Sequence, residues 1–449
     1  MLRLIVTIES MSELYSAPWV EAQVASAIEV WNGSVASTAQ GGIAYCPKEQ
    51  GRREKAYDEA LLSVERAVKT APRTRSERIA TQERITASFG RFAATALGLE
   101  REAVHLLTHD FLPVGTQLAR WARRFDPALE ISDILQACRN AWTACGLQPL
   151  LGERVGITPS ILGYSLLYPY SDNYLDCVDV APEDKLRFSQ RFRLRLCGER
   201  PPAQDYREAA LWRLVKLIEE QYPRAGYPQV YASLLAIHRA QEESVAQLKR
   251  DNDWDDNAVL RMSCAKGGTS VLADACMARG WLSLEESRFS FEWGALLQLG
   301  DDLQDVRDDM ERGSMTLFTR AAAQGKPLDR LVIQLLAFSD TVACRMDMLP
   351  NGAPVLKQLL RMSWRSLIVN AVSDAHELFS PEFIAATERS SPFRFEFLRT
   401  RREKLTSRQG LYAGLFNAFL GGPTSDADTL PPVRLSKGFR PVDARTPAW

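Results

Sequence analysis

Apolar residues recur at spacings of three and four from about Arg52 to Asn417, and this period rules out most sheet-based architectures. The stretches "YDEALLSVERAVKTA", "QVYASLLAIHRAQEESVAQLKR" and "LDRLVIQLLAFSDTVACRMDML" show it most clearly, while alternating β-branched runs are nearly absent. The expected fold class is therefore all-α. No self-similarity with a period of about 30 to 45 residues is visible, which disfavours a solenoid of helical repeats. Prolines at Pro113, Pro127, Pro182, Pro201, Pro202, Pro223, Pro228, Pro327 and Pro350 punctuate the helical segments without opening a linker long enough to divide domains. The expected organisation is an N-terminal extension over 1–55, one helical domain over 56–420, and a Pro/Gly/Ser/Asp-rich tail without its own core over 421–449.

Charge and cysteine usage narrow the function classes. The chain has 55 Lys+Arg against 56 Asp+Glu, a formal net charge of -1, which argues against a nucleic-acid binder that neutralises phosphates. Its 8 cysteines are scattered with no C-x-x-C pair, so no zinc signature exists and they read as reduced, small apolar side chains. The N-terminal residues "MLRLIVTIESMSEL" lack the pattern of a secretory signal, and no apolar run approaches a membrane span. The expectation is a soluble cytoplasmic protein.

Against that neutral background, "LQLGDDLQDVRDDME" concentrates Asp301, Asp302, Asp305, Asp308 and Asp309. Placed on one helix at about 100° per residue, these acids share roughly a third of the circumference. Leu296, Leu299, Leu303, Val306 and Met310 fall opposite. A solvated face usually interleaves Lys or Arg at four-residue spacing, yet Arg307 is the only base in the run. Carboxylates at this density call for a counter-charge, and Asp301, Asp305 and Asp309 at i, i+4 and i+8 suit Mg²⁺ shared with water and substrate phosphates. A second acidic stretch, "YPYSDNYLDCVD", places Asp172, Asp176 and Asp179 at i, i+4 and i+7. Ser171 as an N-cap, with Asp172 complementing the helix dipole, explains the first of these alone. Two acidic faces opposed across a cavity would clamp Mg²⁺ ions that hold a diphosphate, favouring its ionisation.

"LLQLGDDLQDVRDD" resembles the second aspartate-rich motif of class I isoprenoid enzymes: trans-prenyltransferases, squalene and phytoene synthases, and terpene cyclases. "DNYLD" at Asp172–Asp176 resembles their first motif, in a D-x-x-x-D form. "AKGGTSVLADA" resembles the Lys-containing helix that precedes the second motif in the prenyltransferase branch. The resemblance implies a single large α-helical bundle around a central, mostly apolar cavity. Three Mg²⁺ ions would bind there and hold a prenyl diphosphate. It assigns Asp172, Asp176, Asp301, Asp305 and Asp309 as metal ligands with Asp302 adjacent, and Lys266 as a diphosphate-binding base. Gly267 and Gly268 would form a helix break that turns carbonyls toward a carbocation, and relatives of this type are often homodimers. Arg261 and Arg307 are further candidates for the diphosphate. Asn173 stands where chain-elongating enzymes place a second Asp, and this tilts the expectation toward a terpene cyclase. A chain-elongating or head-to-head prenyltransferase and a non-catalytic helical binding protein are the alternatives.

Other features carry less. His105 and His109 stand at i, i+4 without the Glu of H-E-x-x-H and read as ordinary histidines, as do His238 and His376. Tyr164, Tyr168 and Tyr170 precede the first motif and are candidate cavity aromatics.

Overall fold

The computed structural model of the chain describes residues 15–34, 44–69, 74–177, 179–244 and 255–406. The proposed tail at 421–449 lies outside the described residues. Among the described residues every regular element is helical, as the periodicity predicts. In chain order these are α1 (Ala17–Gly33), α2 (Pro47–Val68), α3 (Arg75–Thr95) and α4 (Arg101–His105). A π-helical stretch (Leu106–Phe111) leads into α5 (Leu112–Phe125), α6 (Ile131–Leu150), α7 (Pro159–Asp176) and α8 (Pro182–Leu196). Then come α9 (Tyr206–Gln221), α10 (Pro228–Ser244), α11 (Asp256–Arg279), α12 (Leu284–Gln304) and α13 (Val306–Arg312). The chain continues through α14 (Leu317–Ala323), α15 (Asp329–Met348), α16 (Pro354–Asp374), α17 (Pro381–Arg389) and α18 (Phe395–Thr406).

Local signals set the boundaries. Pro159, Pro182 and Pro228 open α7, α8 and α10, where a missing N–H costs nothing. Ser283 and Glu286 form a reciprocal capping box at the start of α12. Gly280 ends α11 at φ 89, a left-handed conformation open to glycine without Cβ strain.

The core is organised around α11, which packs against α12, α10, α6, α7 and α1. It is buried over most of its length, as a helix at the centre of a core must be. α12 continues the packing outward to α15 and α16. The boundary expected at residue 55 does not separate structural units. Tyr15, Val20, Val24, Ala27 and Trp31 of the first described segment are buried in the same core as α11 and α12. That short helix has too weak an apolar period to stand out ahead of the core it completes. Pairs of Arg394 with Glu54 and Arg401 with Asp58 fasten the start and body of α18 to α2. No helix among the described residues is long and apolar enough to cross a membrane.

α11 and α12 are neighbours at glycine contact distance. A Cβ on Gly267 would collide with the Gly294 carbonyl oxygen, a Cβ on Gly294 with that of Gly267, and a Cβ on Gly268 would sit 2.5 Å from Phe291 Cζ. Helix α11 runs through Gly267 and Gly268 without interruption. The glycine pair is therefore a helix crossing rather than the expected break, because two backbones can approach this closely only without side chains.

Candidate functional site

Three helices each present a stripe of residues to one cavity of about 310 Å³. On α7 the stripe is Tyr164, Tyr168, Ser171 and Asp172; on α11 it is Lys266, Ser270 and Asp274; on α12 it is Gly294, Gln298 and Asp301. Spacings of three and four put each set along one helical face. Arg139 and Asn140 of α6, Phe192 of α8, and Leu234, His238 and Gln241 of α10 close the remaining walls. The volume lies in the range of small-molecule sites.

The first and second acidic segments thus border one cavity, through Asp172 and Asp301 among the described side chains. Asp172, 6% exposed, accepts from Gln241 Nε2 at 2.6 Å through Oδ2 and from Ser171 Oγ at 2.9 Å through Oδ1. It lies in the last turns of α7, so Ser171 is not an N-cap; its hydroxyl donates to Leu167 O inside the helix. Asp176 ends the helix, and Asp179 is exposed in the turn beyond, off the expected face. Asn173 is exposed and donates to Asp133 on α6, at 3.2 Å.

In the second segment the expected single helix bends. α12 stops at Gln304, Asp305 adopts φ -94 ψ 10, and α13 restarts at Val306. Asp301 lines the cavity and is exposed at its mouth, with Asp305 at the bend and Asp309 beyond it. Asp302 points elsewhere: it accepts from Ser263 Oγ at 2.7 Å and Gln298 Nε2 at 2.8 Å, locking α12 to α11. Although Asp301 keeps solvent access at the mouth, the protein packed around it, and then the neighbouring charge of Asp305, raise its carboxyl above the usual carboxylate range. The same two causes push Asp309 up to about 6. None of Asp301, Asp305 or Asp309 forms an ion pair with a described residue.

The expected cations divide. Lys266 lines the cavity and, with Arg139, draws the Asp301 pKa down against burial. Arg261 pairs with Glu21 on α1, and Arg307 is exposed and gripped by Glu377, with Nε to Oε1 at 2.6 Å. Neither lines the cavity, because the bend at Asp305 and the turn of α11 send both outward. Arg139 is the base that sequence reading missed; it sits on a helix without an acidic motif, and only the fold brings it to Asp301. Of the tyrosines, Tyr164 and Tyr168 reach the cavity. Tyr170 instead donates to Asp126 Oδ2 at 2.5 Å. His105 and His109 stack on each other at 4.1 Å. Among the described residues no group of three or more His, Cys, Asp and Glu is already gathered to hold a metal ion.

Asp302 yields a prediction that needs no ligand. Burial raises its pKa from 3.8 to about 6, so folding takes up a proton between those values. The stability it contributes is full below the unfolded value and falls as pH rises through about 6. Asp302→Asn removes that decline. Its melting temperature relative to wild type should climb between about pH 4 and pH 7; a pH-independent difference would show Asp302 ionised throughout.

Comparison with protein-family models and with curated protein sequences gave no match for this chain.

Proposed function

We propose that the chain is a Mg²⁺-dependent terpene synthase of the class I type, ionising a prenyl diphosphate to a carbocation and releasing diphosphate. The observation that carries this reading is that Asp172 and Asp301, 129 positions apart, line one cavity together with Lys266. The reading implies the isoprenoid-synthase arrangement of helices with this cavity as its substrate chamber.

The acids suit a hard divalent cation: all are oxygen donors, and Asp301 and Asp309 carry a mutual electrostatic load with Asp305 that Mg²⁺ would relieve. Asp172, Asp301, Asp305, Asp309 and Asp176 are the residues that would hold it. Bound there, Mg²⁺ supplies charge stabilisation to the departing diphosphate. Lys266 and Arg139 supply fixed cations at the same mouth. Beneath them Phe192, Leu234, Val271 and the Tyr164 and Tyr168 rings enclose the hydrocarbon and keep water from it. Asn173, turned to Asp133, leaves the first segment short of the second acid that elongation uses, which favours cyclisation over chain extension.

The test is incubation of purified protein with Mg²⁺ and each prenyl diphosphate from C10 to C25, following diphosphate and organic products. Hydrocarbon or terpene alcohol is expected. Longer diphosphates formed only with isopentenyl diphosphate would instead show elongation, and coupling of two substrates a squalene-like reaction. Mg²⁺ with inorganic diphosphate at about a hundredfold Kd is expected to raise the melting temperature by on the order of 3 °C. No diphosphate release from any substrate, together with no thermal shift, would leave a non-catalytic helical binding protein as the reading.

A further inference from the structure

The floor of the cavity holds a group that the diphosphate chemistry does not use. Asp274 lies two helical turns below Lys266 on the same face of α11, 1% exposed and lining the cavity. Neither carboxyl oxygen has a hydrogen-bond partner among the described residues. The polar groups nearest in charge terms are engaged elsewhere: Tyr164 Oη donates to Ser270 O at 3.1 Å, and Cys145 Sγ donates to Gly156 O at 3.8 Å. Native proteins rarely leave a buried carboxyl unsatisfied, and an exception inside a cavity points to a ligand or a reaction.

An ionised carboxylate without partners in such a place is far more costly than a neutral acid. Burial accordingly raises its pKa well above the usual range, which favours the protonated acid over the carboxylate. Where the cavity encloses a polyene, a cavity-facing carboxyl that holds its proton can give it to a double bond.

We infer that Asp274 is the proton donor and acceptor for the hydrocarbon at the cavity floor. The inference rests on the prenyl-diphosphate reading. Ionisation breaks the C–O bond, and the departing diphosphate can take a proton from the cation, leaving a neutral polyene. The Asp274 O–H bond then breaks as its proton forms a C–H bond at one alkene carbon, giving a second cation and a carboxylate. That carboxylate removes a proton from a carbon beside the new cationic centre, which restores the double bond and the acid. The sum is isomerisation or further ring closure with no added reactant.

Two measurements on the full chain test this. Infrared difference spectra of wild type against Asp274→Asn, without substrate, are expected to show the band of an uncharged carboxyl that shifts in D₂O and is missing from the variant. Its absence in wild type would overturn the proposal whatever the substrate, since Asp274 would have no proton to give. With the accepted prenyl diphosphate in D₂O, wild type is expected to place solvent deuterium in its product. In Asp274→Asn the deuterated product per diphosphate released should fall about a hundredfold, with a less cyclised polyene in its place. The same product and the same deuterium content in both proteins would overturn the role of Asp274 while leaving diphosphate ionisation standing. Release of diphosphate by neither protein would sink both. The variant is expected to melt close to wild type, because an amide of the same shape replaces a carboxyl that has no hydrogen-bond partner to lose, which separates this role from a structural one.

Discussion

Asp301→Asn is expected to lower diphosphate release from the accepted substrate by about a thousandfold, the scale on which loss of one charge-stabilising group in a closed site is felt. Asp301 is the residue of the second acidic segment that reaches the cavity, and Lys266 and Arg139 face it across the mouth. Its substitution therefore removes the junction between the acidic helix end and the chamber. The same change relieves repulsion with Asp305, so without Mg²⁺ the variant should melt no lower than wild type. The added stability from Mg²⁺ and diphosphate should vanish. Exposed Asp308, which lines nothing, gives the control: Asp308→Asn should stay within about twofold of wild type. Retention of more than a tenth of wild-type release by Asp301→Asn would remove Asp301 from the reaction.

How much of this was legible in the residues follows from the range of the forces involved. Helicity depends on three- and four-residue spacing, and the all-α class came directly from it. That Asp172 and Asp301 line one cavity was expected from the motif order, although periodicity alone could not show it. The straight acidic face failed at Asp305, where the backbone departs from the helix for reasons that the surrounding residues do not announce. Asp302 was indistinguishable from Asp301 in the string of letters; a shift of one position turned it to Ser263 and into the core. Arg261 and Arg307 looked like diphosphate ligands because they stand near motifs, but Glu21 and Glu377, remote in sequence, hold them outward. Nothing in "SVLADACMA" singles out Asp274, and the apolar neighbours there are the reason its carboxyl is buried and its pKa is pushed up. Asp302, Arg261 and Arg307 were misplaced because a partner on another helix decides where each side chain points.

The glycine pair makes the same point in energy. Gly267→Ala and Gly294→Ala are expected to destabilise the fold by at least about 3 kcal/mol, the upper range for overpacking, because each new methyl meets a backbone carbonyl that cannot turn aside. Against a total stability of roughly 5–15 kcal/mol, that is enough to cost soluble protein. Gly268→Ala meets the Phe291 ring instead, and a ring can shift, so its urea midpoint should fall less. Gly51→Ala, in α2 with nothing within 4 Å of the new Cβ, should raise stability by roughly 0.5–1 kcal/mol. The sign at Gly267 decides between two accounts of the motif. A glycine placed to loosen α11 and free its carbonyls would behave like Gly51 and gain helix stability from alanine. A glycine placed where α11 crosses α12 loses it, and with it the spacing that holds Lys266 opposite Asp301.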